Sequence, residues 1–156
     1  MDPVVATVVR LYKEAHAEMR EAVRGLDAKA LSWQPAPETN SIAVLIVHTL
    51  GSEAEVFRIA RNAAGSRDRD AEFRTPVASA DELIGLLDAA DADLDAAAPR
   101  ITAADVDAER PRRTNPPETM RYWMIQNYGH AREHLAQIHL TKQLYEAQAK
   151  GVEGRG

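Results

Sequence analysis

Cysteine is missing from the 156 residues of this chain. Its absence excludes disulfide bonds, thiolate zinc sites and a cysteine nucleophile, so any bound metal must be held by His, Asp or Glu. Aromatic residues are also scarce, at 5% of the sequence, while Ala, Glu, Arg, Leu and Asp are abundant. This composition favours helices over a β-sheet.

Long apolar runs are missing as well, since no stretch approaches the roughly 18 residues that a membrane-spanning helix needs. The amino-terminal sequence MDPVVATVVRLYKEAH lacks the basic start and the small-residue cleavage site of a signal peptide. We therefore expect a cytoplasmic protein with no membrane partner.

Positive charge is in the minority, because the net charge at pH 7 is −5. A nucleic-acid partner is not expected of such an acidic chain, which lacks an extended basic patch. The short basic run Arg110, Arg112 and Arg113 lies among prolines, and this pattern predicts a solvated linker.

What is present is the composition of a globular protein, with 45% apolar and 28% charged residues. The length predicts a single domain over residues 1–156. Apolar residues recur at helical spacing after Asp2, a capping residue, and the first helix is expected to end near Gly25. Residues 26–40 are predicted to be a connection with at most a short helical turn at 27–31.

Three further helices are predicted downstream. The second begins at Asn40 or Ser41 and ends at Gly65, and residues 66–78 read as a loop. The third begins with a capping box at Ser79 and ends before Pro99. A linker to residue 117 precedes the fourth, which spans about 118–150 and ends at Gly151. No strand is predicted, and the pattern indicates an all-α four-helix bundle with long connections between helices.

The last helix has one strongly apolar stripe, which should face the core because helical residues advance 100° each. His139 points away from this stripe and is predicted to be solvated or at a subunit contact. The stripe consists of Met120, Trp123, Met124, Asn127, His130, Ala131, His134, Leu135, Ile138, Thr141 and Tyr145.

His130 and His134 lie on this stripe one turn apart, where side chains at i and i+4 are neighbours. They are either core histidines bonded to polar partners or ligands of one metal ion, and a shared ion fits a pair better. His48 on the second helix is the candidate third ligand, although its segment is apolar on nearly all sides and its direction is not fixed. Three histidines from two helices would leave open metal positions, as catalytic sites do.

Two more polar residues occupy predicted core positions. His16 on the first helix is a fourth ligand, a substrate contact or a hydrogen-bonded core residue, and we favour the last. Glu53 is expected to bond to a ligand histidine or to pair with an arginine on another helix.

Two other metal motifs fit poorly. The sequence HAREH matches the HxxEH pattern of inverted zinc proteases, but Glu133 would project about 100° from His134 and the necessary downstream carboxylate ligand has little chain left. A di-iron bundle needs Glu-x-x-His pairs, and no glutamate in the sequence has a histidine three residues later.

The segments SWQPAPETNSIAVLIVHTLGSEAEVF and HAREHLAQ resemble the DinB/YfiT-like superfamily. The lead-in N-S-I-x-x-L-x-x-H places His48 in the position of the first histidine. The pattern H-x-x-x-H-x-x-Q is formed by His130, His134 and Gln137. The resemblance implies a four-helix bundle in which the three histidines bind a divalent metal, most often zinc or nickel.

Characterised members of that superfamily include S-transferases and isomerases that use the thiols mycothiol or bacillithiol. The resemblance therefore suggests a metal-dependent transferase or hydrolase that activates a small-molecule thiol or water, since the chain has no thiol of its own. Gln137 would hold a ligand ring or the substrate, and Trp123, Asn127 and Tyr145 would line the pocket. The alternatives are a non-catalytic metal- or ligand-binding stress-response module and a purely structural bundle. A homodimer is expected under each.

Overall fold

The structure is a computed structural model that describes residues 1–74, 76, 77 and 79–153, with 152 and 153 described by backbone alone. Seven α-helices and one β-hairpin follow each other within these residues. They are α1 (Pro3–Val23), α2 (Ala28–Ser32), α3 (Ile42–Ala60), α4 (Arg69–Glu72), α5 (Ala80–Ala97), α6 (Ala103–Asp107), β1 (Glu109–Arg112), β2 (Asn115–Thr119) and α7 (Met120–Glu153), with a 3-10 turn at Ala98–Arg100.

The four long helices α1, α3, α5 and α7 form the bundle. Helix α7 packs against α1 and α3, and α5 packs against the same two helices from the other side. The predicted four-helix bundle is confirmed, and the predicted short turn at 27–31 corresponds to α2. Among the described helices, none combines the length and apolar character needed to cross a membrane.

The core lies between these four helices because each turns an apolar face inward. On α1 that face recurs at helical spacing through Val5, Tyr12 and Met19, all fully buried. Leu83 and Leu87 of α5 meet Leu135 and Ile138 of α7 in the same apolar cluster. The inward stripe predicted for the last helix is therefore present, and His139 on its opposite side is exposed.

Polar caps begin the bundle helices at the predicted places. Asp2 Oδ1 accepts a hydrogen bond from the Val4 amide at 2.8 Å, and Ser41 Oγ accepts one from the Val44 amide at 3.3 Å. Ser79 Oγ does the same for the Glu82 amide at 3.2 Å. Each cap satisfies an amide that the first helical turn leaves without a carbonyl partner.

Two predicted helix ends are wrong. Helix α3 stops at Ala60 rather than Gly65, because Asn62 adopts the left-handed conformation with φ of 50° and breaks the helix earlier. Helix α7 passes through Gly151 and continues to Glu153. The predicted loop 66–78 also contains the short helix α4.

The prediction that the chain has no strands is wrong as well. Strands β1 and β2 pair antiparallel, with Glu109 opposite Thr119 and Arg112 opposite Asn115. The pairing is irregular between Arg110 and Arg112, where Pro111 has no N–H to contribute. A two-stranded hairpin tolerates prolines because one side of each strand needs no ladder bonds.

The basic run is not the solvated linker that its composition predicts. Arg112 is buried, and its guanidinium donates to Glu55 Oε2 at 3.2 Å, to Ser52 Oγ at 2.7 Å and to Asn127 Oδ1 at 2.9 Å. Arg110 also points inward and donates to the Ile59 carbonyl at the end of α3. Of the three, Arg113 is exposed as predicted.

We predict that Arg112→Gln lowers the free energy of unfolding by about 2–3 kcal/mol, because it removes one partner of a buried ion pair and leaves polar groups unsatisfied. Arg113→Gln is the matched control, since its side chain is 43% exposed, and we expect a change within about 0.5 kcal/mol. Urea unfolding of the three proteins gives both values. Equal losses in the two variants would contradict a structural role for Arg112.

Candidate metal centre

Three histidines from two packed helices converge in the bundle, and two of them line a cavity. His48 comes from α3, while His130 and His134 lie one turn apart on α7. The ring centroid of His48 is 5.3 Å from that of His130 and 5.2 Å from that of His134, and the latter two are 4.3 Å apart. One ligand atom from each residue lies within 4.8 Å of the others, so the cluster could hold a metal ion.

The packing of α3 against α7 decides the direction of His48. Helix α3 is buried on most of its circumference, and the residue itself is 6% exposed. The helical wheel leaves this direction open, whereas the structure turns the ring toward α7.

A carboxylate and an arginine fix the ring of His48. Its Nδ1 lies 3.0 Å from Glu72 Oε2 and 3.2 Å from one terminal nitrogen of Arg67. That nitrogen has two hydrogens, and Glu72 Oε2 at 2.7 Å and the His48 carbonyl at 3.1 Å are both closer to it than Nδ1 is. Nδ1–H of His48 therefore donates to Glu72, which leaves the lone pair on Nε2.

The side chain of Gln137 fixes the ring of His134. Its Oε1 lies 2.8 Å from Nδ1 of His134 and accepts the Nδ1–H hydrogen bond. The lone pair of His134 is then on Nε2, which faces Nε2 of His130 at 3.0 Å. Gln137 thus orients the ring of His134, and its role toward a metal ligand or a substrate stays a prediction.

His130 is the third histidine of the cluster, and its contacts suit a bound cation. Its Nδ1 is buried and, among the residues that the structure describes, has no hydrogen-bond partner. Its Nε2 therefore makes the ring's contact with the cluster, directly opposite the Nε2 lone pair of His134. Two facing imidazole nitrogens repel each other unless a proton or a cation lies between them.

The surroundings keep two of the rings neutral. Burial lowers the pKa of His48 to about 4, and the charge of Arg67 acts in the same direction. Burial also lowers the pKa of His130 to about 4, helped by the neighbouring His134 and His48. Both imidazoles therefore have free lone pairs at neutral pH, the state in which histidine binds a metal.

A cavity of about 320 Å³ opens beside His48 and His130. Two of the predicted pocket residues, Trp123 and Asn127, line it. Tyr145 is not among the lining residues and instead packs edge-on against Trp33 at 5.6 Å between ring centroids. The remaining lining residues are Ser52, Arg67, Arg69, Arg112, Arg113, Asn115, Tyr122 and Gln126.

Glu72 and Arg67 were not predicted as site residues, because their segment reads as a charged loop. One sequence signal that these two side chains lie against α3 is Gly51, in the middle of that helix and one turn after His48. A Cβ on Gly51 would lie 2.0 Å from Glu72 Oε1. Glycine inside a helix costs up to about 1 kcal/mol relative to alanine, and such a residue indicates a close neighbour.

His16 and Glu53 belong to a separate buried cluster. His16 Nε2 lies 3.0 Å from Glu53 Oε2, and its Nδ1 lies 2.7 Å from Asp91 Oδ1. Arg20 donates to the other oxygen of Asp91. Glu53 is therefore paired with a histidine outside the cluster of His48, His130 and His134, rather than with one of those three or with an arginine. His16 has the surroundings of a hydrogen-bonded core residue.

Burial and the two carboxylates have opposite effects on the pKa of His16. Burial works to lower its pKa, but hydrogen bonds and charge from Glu53 and Asp91 outweigh burial and raise the pKa above its ordinary value. Burial raises the pKa of Glu53, although His16 opposes that shift. The protonated imidazole is thus the form that this cluster stabilises.

The sequence model of the DinB superfamily matches residues 11–138 of the chain. Among solved structures, the fold is similar to that of a conserved protein from Enterococcus faecalis, with a TM-score of 0.74 and 16% sequence identity. The similarity covers 92% of this chain and 98% of that protein, and at this identity it concerns the fold alone. No significant match is found among proteins of curated function.

We predict that the His16 cluster makes stability depend on pH. The pKa of His16 in the folded protein is raised above the unfolded value of about 6.5. The contribution of His16 to the free energy of unfolding is therefore complete below about pH 6.5 and is lost as the pH rises through the folded pKa. His16→Gln should therefore lower the free energy of unfolding by about 2 kcal/mol near pH 6 and by less near pH 9. Urea unfolding across this range, with the exposed His139→Gln as control, measures the difference. A loss that is constant with pH would contradict the assignment.

Proposed function

Because the chain belongs to the DinB superfamily, we propose that His48, His130 and His134 bind one divalent metal ion, zinc or nickel, in a metal-dependent enzyme. The observation that supports this most strongly is the meeting of the three imidazoles beside a cavity that His48 and His130 line. Imidazole nitrogens are good ligands for both metals.

The protein's own part in the chemistry is to orient the imidazole rings and to shape the cavity beside them. Glu72 and Gln137 hold the Nδ1 atoms of two rings, which directs the Nε2 lone pairs of those rings toward the cluster. A divalent ion held there would lower the pKa of an adjacent thiol or water and supply a nucleophile near neutral pH. Trp123 and Asn127 border the cavity in which a substrate would meet that nucleophile.

We further propose that the nucleophile is the thiolate of a small-molecule thiol and that the reaction is S-transfer, with hydrolysis by water as the second candidate. The chain has no cysteine, so the sulfur must come from a cosubstrate. The alternative is a metal- or ligand-binding stress-response module without catalysis. Such a module would have the same histidines and cavity as the proposed enzyme but would not turn over a substrate. The cytoplasmic location and the homodimer remain predictions.

We predict that protein purified without chelator contains about one zinc or nickel ion per chain, measured by elemental analysis. Metal added at about a hundred times its dissociation constant stabilises a folded protein by about 2.7 kcal/mol. We therefore expect the thermal midpoint of stripped protein to rise by about 5–10 °C when zinc or nickel is restored.

Alanine variants of His48, His130 and His134 should each lose both the bound metal and this stabilisation. His139→Ala, an exposed histidine on the same helix as two of the ligands, should retain both. Stripped protein that gains no stability from either metal, or triad variants that bind metal like His139→Ala, would contradict the metal site.

We predict that the metal-loaded protein forms a carbon–sulfur bond between a small-molecule thiol and a fluorogenic electrophile such as monobromobimane, with bromide and the thiol proton released to solvent, faster than the uncatalysed reaction. Mycothiol, bacillithiol and glutathione would be compared, and the rate should fall at least about a hundredfold in His130→Ala, in which the metal is lost. Turnover of an activated ester without any thiol would indicate water as the nucleophile. Full metal occupancy with no turnover in either assay would contradict catalysis and favour the binding module.

A further inference from the structure

The cavity beside the three histidines is strongly basic, although the chain as a whole carries a net charge of −5. Four arginines line it, namely Arg67, Arg69, Arg112 and Arg113. Among the residues that the structure describes, no aspartate or glutamate lines the same space. A concave wall with one sign of charge concentrates its electric field and attracts ligands of the opposite sign.

Two glutamates behind the wall neutralise only part of this charge. Glu72 accepts two hydrogen bonds from Arg67, at 2.6 and 2.7 Å. Glu55 is shared by three guanidiniums, those of Arg67 at 3.5 Å, Arg112 at 3.2 Å and Arg113 at 3.8 Å. Four guanidinium charges therefore face two carboxylate charges.

The surplus lies on the two exposed arginines. Arg113 is 43% exposed in its side chain, and its contact with Glu55 is long. Arg69 is exposed, and its guanidinium lies 4.8 Å from the ring centroid of Phe73. Within the part of the chain that the structure describes, Arg69 forms no salt bridge. These two guanidiniums are available to a ligand, whereas Arg67 and Arg112 are held in place by glutamates.

We propose that this cavity binds a small organic anion, whose carboxylate or phosphate group is held by Arg69 and Arg113. Guanidinium groups form paired, charge-assisted hydrogen bonds with both kinds of anion. The anion is the substrate only if the metal site of the proposed function is real, and in that case its uncharged part lies toward His48 and His130. Anionic electrophiles should then react faster than neutral ones of the same size.

The rest of the lining suits such a ligand. Trp123 and Tyr122 offer aromatic faces to its carbon skeleton, and the amides of Asn115 and Gln126 offer further hydrogen bonds. A volume of about 320 Å³ is at the small end for ligand pockets. The anion is therefore a compact molecule and not a polymer.

Calorimetric titration of the full chain with inorganic phosphate, succinate and the neutral analogue succinamide tests the proposal. Each titration is run on chelator-stripped protein and on zinc-loaded protein at low ionic strength. We expect phosphate or succinate to bind both forms and succinamide to bind at least about tenfold more weakly. Which of the two anions binds more tightly identifies the anionic group.

The double variant Arg69→Gln/Arg113→Gln should weaken anion binding at least about tenfold. Arg10→Gln, a 67% exposed arginine on α1 that does not line the cavity, should leave anion binding unchanged. Circular dichroism checks that each variant is folded.

The outcomes separate this inference from the proposed function. Zinc-loaded protein that binds neither anion, or a double variant that binds them as the wild type does, overturns the inference and leaves the metal site intact. Anion binding that depends on the two arginines, in protein that takes up no metal, supports the anion pocket and overturns the metal-dependent function.

Discussion

The contact between the half-buried rings of His130 and His134 sets the geometry of the whole site. Their Nε2 atoms face each other at 3.0 Å on the inner side of α7, an arrangement that needs a shared proton or cation. Helix α3 adds His48 to the same point, and Glu72 and Gln137 fix which nitrogen faces the cluster. His134 is thus oriented by a residue of its own helix, while His48 of α3 depends on Glu72 of the short helix α4.

The hairpin and the loop before α5 connect the fold to this site. Arg112 of β1 reaches Ser52 of α3 and Asn127 of α7, so the hairpin joins the two helices that supply the histidines. Arg67, from the segment after α3, reaches Glu72 and Glu55. Glutamates pair with both of these structural arginines, so the surplus positive charge of the cavity lies on Arg69 and Arg113.

Much of this architecture could be predicted from the sequence, because helical periodicity and caps such as Asp2 and Ser41 are local signals. The pairing of His130 and His134 follows from their spacing alone. The direction of His48 could not be predicted, since α3 is apolar on nearly all sides and only its packing selects a face. The carboxylate that pairs with Arg112 and the histidine that pairs with Glu53 each lie more than thirty residues away in the sequence. The sequence therefore predicts a solvated Arg112, and it predicts the wrong partners for Glu53.

The central claim is that one cation is shared by three imidazoles from α3 and α7. X-ray absorption spectroscopy at the zinc edge, on protein loaded with one equivalent of zinc, tests it most directly. We expect three imidazole nitrogens at about 2.0–2.1 Å from the metal, with the remaining ligands light atoms from solvent. A spectrum with only oxygen ligands, or with a single imidazole, would contradict it.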